Sequence, residues 1–276
     1  SDRYSSGPRL SAADVRMSDP METSEPTAAD AEPGDGLPAA FGQPDPSEDP
    51  NHYPYATWSP WIAIGGSVSA LILGVLLALP VLWAAGGGDF DEMGWQVKAA
   101  VQICTALGFL AVPLLFAKEM PHTDSWREAF GRLGFHRFRI GNAAKWIGIG
   151  MVSYLAFALF YVTVFGAPEQ DDIAGELGPA WSQILLIVII APLAEEVCFR
   201  GMLFGGFRSR FNLPVAALGA GLVFGLLHYS TGISAVPQLI VLGAIFAVVY
   251  EKTRSIWPAI IFHLINNGWV LIALNA

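Results

Sequence analysis

The chain has 276 residues, 53% of them hydrophobic and 14% charged, with a mean hydropathy of +0.47. That balance excludes an ordinary soluble globular domain. The net charge is −9, but residues 1–60 hold 11 Asp/Glu against 3 Arg and carry −8 of it. The remainder is almost neutral, so no basic surface points to nucleic acid as a partner.

Residues 1–57 also carry most of the 10 prolines found before residue 61, and no apolar run. Such a segment cannot bury enough surface to offset the entropy of ordering, so a disordered acidic, proline-rich tail is expected. No basic start leads into an apolar stretch there, so no secretory signal peptide is expected. The rest, 58–276, reads as one all-α domain, a polytopic transmembrane bundle of about seven helices. A hydrocarbon core about 30 Å thick needs about 20 apolar residues per helix. Stretches near 61–85, 97–117, 144–166, 181–205, 213–230, 233–250 and 256–275 meet or approach that length, the fifth and sixth being short.

Lysine and arginine sort the connections. Residues 118–145 carry Lys118, Arg127, Arg132, Arg137, Arg139 and Lys145, whereas 86–96 and 167–180 carry none. Basic loops stay in the cytoplasm, which puts the N-terminus inside and Ala276 outside; the expected setting is an integral protein of a bacterial plasma membrane. Residues 119–143 have two readings, an interfacial amphipathic segment or a basic loop with anchoring aromatics. Trp58, Trp61, Trp83, Trp95, Trp181 and Trp257 fall near helix ends, as aromatic belts do. Gly86-Gly-Gly-Asp89 lies in a polar loop and reads as a turn. Cys104 and Cys198 lie in apolar segments and read as small hydrophobes, not as a disulfide or metal pair.

Chemistry is concentrated in Ala191-Pro-Leu-Ala-Glu-Glu-Val-Cys-Phe-Arg200. Charges at bilayer depth cost several kcal/mol unless paired or placed in a wet cavity, so these residues are functional candidates. Glu196 and Arg200 stand four apart on one helix face and can pair, whereas Glu195 is turned about 100° away. The expected division is structural for Glu196 and Arg200 and chemical for Glu195. Phe224-Gly-Leu-Leu-His228 adds one imidazole, and His263-Leu-Ile-Asn-Asn267 adds another with an amide on the same face.

A carboxylate, two imidazoles and an amide can activate water and stabilise an oxyanion. In this scheme Glu195 and His228 act on the water, and His263 and Asn267 donate to the developing oxygen anion. Glu, His and His are also a zinc ligand set, which keeps a metal-dependent protease open as the alternative. A non-catalytic scaffold or immunity protein, and more weakly a proton-relay transporter, stay open as well. No His-Glu-x-x-His occurs, and no serine lies in a nucleophile motif.

Glu195-Glu196-x-x-x-Arg200, Phe224-x-x-x-His228 and His263-x-x-x-Asn267 together resemble the signature of the CAAX-protease and bacteriocin-processing family, also called the ABI family. The resemblance covers about residues 181–270, the expected protease core. It implies an intramembrane glutamic endopeptidase that needs no cofactor, in a family long labelled metalloproteases. Its first glutamate and first histidine, here Glu195 and His228, would activate water, with His263 and Asn267 as the oxyanion site and Glu196, Arg200 and Phe224 in support. The implied partners are the lipid bilayer and a peptide or protein substrate at the membrane. Eukaryotic members trim prenylated C-termini, and bacterial ones are linked to peptide maturation, bacteriocin immunity or regulated proteolysis. Substrate identity and oligomeric state are not encoded in these motifs.

One geometric demand follows. At 1.5 Å per residue, His228 lies about 22 Å from its helix start and His263 about 10 Å from its own. Upright helices would not bring them together, so tilt or shifted boundaries are required.

Overall fold

The computed structural model describes residues 58–120, 125–168 and 173–274. The expected tail, 1–57, lies outside the described residues. Those described are helical, with no strand among them, and six helices are long and apolar enough to cross a membrane. A seventh apolar helix, Leu213–Leu227, is shorter. The protein is an integral membrane helix bundle.

Helix α1 (Pro60–Ala84) opens with proline at its first position and Ser59 as cap, and runs into Gly86, Gly87 and Gly88. All three have φ between +67 and +118°, the left-handed region that suits glycine and turns the chain back. Helix α2 (Trp95–Glu119) returns against α1 at very short range. A Cβ on Gly74 would stand 2.8 Å from the Thr105 backbone, so only a small residue allows this approach.

The connection to α4 (Ile140–Phe165) contains a short helix α3 (Trp126–Arg132). Leu133 just after it is fully buried, and Phe135 meets Trp257 edge-on at 5.4 Å. The segment therefore docks on the bundle while Trp126 and Phe130 stay exposed, combining parts of both expectations. Trp61, Trp83 and Trp181 are exposed as belt residues should be, but Trp58 is not. It is buried and donates through Nε1 to the Met202 carbonyl at 2.9 Å, which corrects its placement in the aromatic belt.

Helix α5 (Ala180–Arg208) carries the glutamates through the middle of the bundle. Its segment Ala191–Glu196 is flanked by two wide stretches, Ile184–Ile190 and Val197–Phe204, bonded i→i+5. Such π-type turns are uncommon and often mark functional positions. Helices α6 (Leu213–Leu227) and α7 (Val236–Thr253) form a tight hairpin. Cβ atoms on Gly221 and Gly225 would come within 2.8 Å of α7 backbone nitrogens. Helix α8 (Ile256–Leu274) closes the bundle against α5 and α7.

Candidate active site

Glu196 is fully buried, and the sequence spacing explains its first partner: Arg200 Nη1 lies 3.0 Å from Glu196 Oε1, one turn along α5. The same oxygen accepts a hydrogen bond of 2.8 Å from His263 Nδ1 on α8. Glu196 is thus the link between two helices as well as a partner within its own. Arg200 donates through Nη2 to the Gly243 carbonyl of α7 at 2.9 Å, and its guanidinium lies 4.7 Å from the Phe224 ring. Four helices, α5 to α8, are tied by this one ion pair and its neighbours.

Glu195 is turned away from Arg200 and retains about 15% side-chain exposure. It is not isolated, because its Oε2 stands 3.8 Å from His263 Nε2. That gap is too long for a direct hydrogen bond and suits two groups that share a third atom. His263 therefore lies between the two glutamates, its Nδ1 committed to Glu196 and its Nε2 facing Glu195.

His228 caps the C-terminal end of α6, where its Nδ1 donates to the Phe224 carbonyl at 2.7 Å. A carbonyl only accepts, so a proton sits on Nδ1, and in the neutral form of the ring Nε2 is an acceptor. Its ring lies 4.7 Å from the Phe224 ring, and that of His263 lies 5.9 Å from the same phenyl. Both imidazoles thus gather on one aromatic side chain despite the unequal depths counted along their helices. Two upright helices starting at one level could not do this.

Asn267 reaches α5. Its Nδ2 donates to the Ile187 carbonyl at 3.0 Å, and its Oδ1 accepts from Asn266 at 3.3 Å. The local sequence explains the first bond. In an i→i+5 turn Ile187 would receive its hydrogen from residue 192, and that residue is proline, which has none. The asparagine of α8 supplies the missing donor. Asn266, which helical spacing directs to another face, joins through its neighbour's amide.

Among the described residues, no three His, Cys, Asp or Glu side chains are arranged as a metal-binding group. His263 engages Glu196 through Nδ1 and keeps Nε2 toward Glu195, an arrangement open to histidines with or without a metal.

Sequence reasoning did not pick out Phe246, whose ring stacks on His263 at 4.6 Å and 27°, nor the Gly243 carbonyl that receives Arg200. A phenylalanine and a glycine in an apolar run carry no signal of a site. Pro192 with Asn267 did offer one, a proline inside a membrane helix that leaves a carbonyl to be satisfied elsewhere.

The family model described as Type II CAAX prenyl endopeptidase Rce1-like matches residues 177–269, a span that contains all seven positions of the three motifs. Over that third of its length the chain is similar to membrane CAAX peptidases, the likeness that the three motifs carry. Among curated proteins it is 25% identical to "Putative membrane peptidase YdiL" of Bacillus subtilis over 209 residues, 71% of this chain and 82% of that protein. It is 30% identical to "Membrane-embedded CAAX protease MroQ" of Staphylococcus aureus over 95 residues, 32% of this chain and 38% of that one. It is 36% identical to "UPF0177 protein YxdF" of Lactococcus lactis over 94 residues, 34% and 50% of the two chains. No solved structure matches the chain. The family-model match thus spans α5, α6, α7 and most of α8, the helices that carry the candidate site.

Proposed function

We propose that this chain is an intramembrane endopeptidase of glutamic type, hydrolysing a peptide bond of a membrane-associated peptide or protein by activated water, with no obligatory metal. The single observation that carries the proposal is the unequal treatment of two adjacent glutamates. Glu196 is sealed and paired with Arg200 and His263, whereas Glu195 is partly accessible and faces an imidazole across 3.8 Å.

In this reading Glu195 takes a proton from the attacking water, and His228, with its proton on Nδ1, offers Nε2 as an acceptor to the same water. His263 donates through Nε2 to the developing oxyanion when it carries a second proton, with Glu196 as counter-charge. The Asn267 amide assists while holding α5 through Ile187. Leu193 and Val197, which flank the glutamates in sequence but share another face of α5, line an open apolar groove of about 500 Å³ with Leu110, Leu114, Phe130, Phe135 and Trp257, apart from the four candidate catalytic side chains. Such a lining suits an apolar stretch of substrate. The names of YdiL and MroQ, a peptidase and a protease, support the reaction class. The basic connection between α2 and α4 supports a cytoplasmic position for that loop.

The test compares peptides from membranes and medium of cells carrying the wild type or Glu195→Gln. Products present only with the wild type are expected, and identical profiles would defeat the proteolytic reading. Metal analysis of the purified protein and cleavage after chelation separate the two enzyme readings. Stoichiometric zinc with chelator-sensitive cleavage would replace the glutamic mechanism by the metal-dependent one.

A further inference from the structure

We propose that Phe246 of α7 is a positioning residue that holds both partners of Glu196, setting the plane of the His263 imidazole and the place of the Arg200 guanidinium. The proposal deepens the catalytic reading of His263 and rests on it. Phe246 is fully buried. Its ring lies 4.6 Å from the His263 ring at an interplanar angle of 27°, and 5.0 Å from the Arg200 guanidinium carbon. One phenyl thus touches both groups that converge on Glu196 Oε1.

Hydrogen bonding by itself leaves these partners under-determined. His263 is tied to Glu196 through Nδ1, and its Cβ–Cγ torsion is of the broad sp³–sp² kind, so one hydrogen bond fixes the ring plane only weakly. Rotation about the Cβ–Cγ bond would swing Nδ1 off Glu196 and Nε2 away from Glu195 together, releasing the Nδ1 proton. Stacking on Phe246 removes that freedom. Arg200 makes an aligned hydrogen bond through Nη2 to Gly243, while its Nε and Nη1 have no aligned hydrogen-bond acceptor. Nη1 meets Glu196 as a charge contact at 3.0 Å. The guanidinium is placed instead by aromatic faces, Phe224 at 4.7 Å and Phe246 at 5.0 Å.

Phe246 is itself fixed edge-on by Phe262 at 5.0 Å and Phe224 at 6.4 Å. Gly243, one turn earlier, supplies the carbonyl for Arg200. Helix α7 therefore enters the site through a ring and a backbone oxygen, orienting a network to which it lends no charge.

The experiment is nitrogen NMR of the full chain labelled with 15N-histidine in detergent micelles, which reads the proton position on each imidazole without any substrate. Loss of a signal set in His263→Gln assigns that residue among the five histidines. The wild type is expected to show one His263 species with its proton on Nδ1. Phe246→Leu and Phe246→Met, which keep apolar bulk but not the ring, should split that species into exchanging tautomers. Phe246→Tyr, which keeps the ring, should restore the single species. Unchanged His263 signals in the aliphatic variants would overturn the proposal. Failure of both aliphatic variants to fold while Phe246→Tyr folds would assign the ring to packing alone and also overturn it. Because no cleavage is measured, the result stands apart from whether the chain proves to be a protease.

Discussion

Helices α4 and α5 are almost equally apolar, yet 6% of the apolar window of one is buried inside the protein and 56% of the other. Helix α4 faces outward along most of its length, with Val152, Leu155 and Phe160 all more than half exposed. Helix α5 is enclosed, and it alone carries two glutamates and an arginine at mid-helix. In a membrane the two environments are alike in polarity for a leucine and utterly different for a carboxylate. Apolarity therefore tells that a helix is embedded, and the charges tell which helix is central.

The comparison predicts a steep gradient of mutational cost. Glu196→Ala should be the most damaging change, because it strips the counter-charge from Arg200 and the acceptor from His263. A loss of about 3–5 kcal/mol is expected, read as the unfolding midpoint in micelles. Near-normal stability would mean that the buried pair does not hold the bundle together.

Glu195→Gln should lower cleavage by about a hundredfold or more while leaving the unfolding midpoint in place, since this side chain is partly exposed and unpaired with Arg200. Equal destabilisation by changes at both glutamates would erase the division between them.

Asn267→Ala should cost about 1–3 kcal/mol by leaving the Ile187 carbonyl without its donor. In a Pro192→Ala background the backbone amide at position 192 can take over, so the same change should cost much less stability there. Activity should stay low in the double variant if the amide also serves the oxyanion. Full additivity of the two stability effects would break the proposed link between proline and asparagine.

Leu155→Ala on the outward face of α4 should change stability by no more than about 0.5 kcal/mol. A large loss would show that α4 is covered by more than lipid and would weaken the contrast with α5.

Much of the site was legible because its signals are polar groups in apolar helices. The pairing of Glu196 with Arg200 follows from four-residue spacing, and it is present at 3.0 Å. The shared face of His263 and Asn267 follows in the same way, although their partners lie on α5 and could not be read from α8. Trp58 misled because its position near a helix end fits a belt residue, while its indole is buried against Met202. The shortness of α6 was visible from its length, but not that its end would deliver His228 to the ring of Phe224.

Local chemistry alone thus determined an embedded helical protein, the helix that must be sheltered, and which side chains need partners. Those conclusions follow from the cost of unpaired polar groups in hydrocarbon, which holds whatever the arrangement. Tertiary structure decided who the partners are: that one glutamate oxygen serves two helices, that a proline's missing hydrogen is replaced from α8, and that Phe246 lies against both partners of Glu196. Such choices depend on where helices cross, and crossing is set by small residues at contact points and by wide turns in α5, which no single segment specifies.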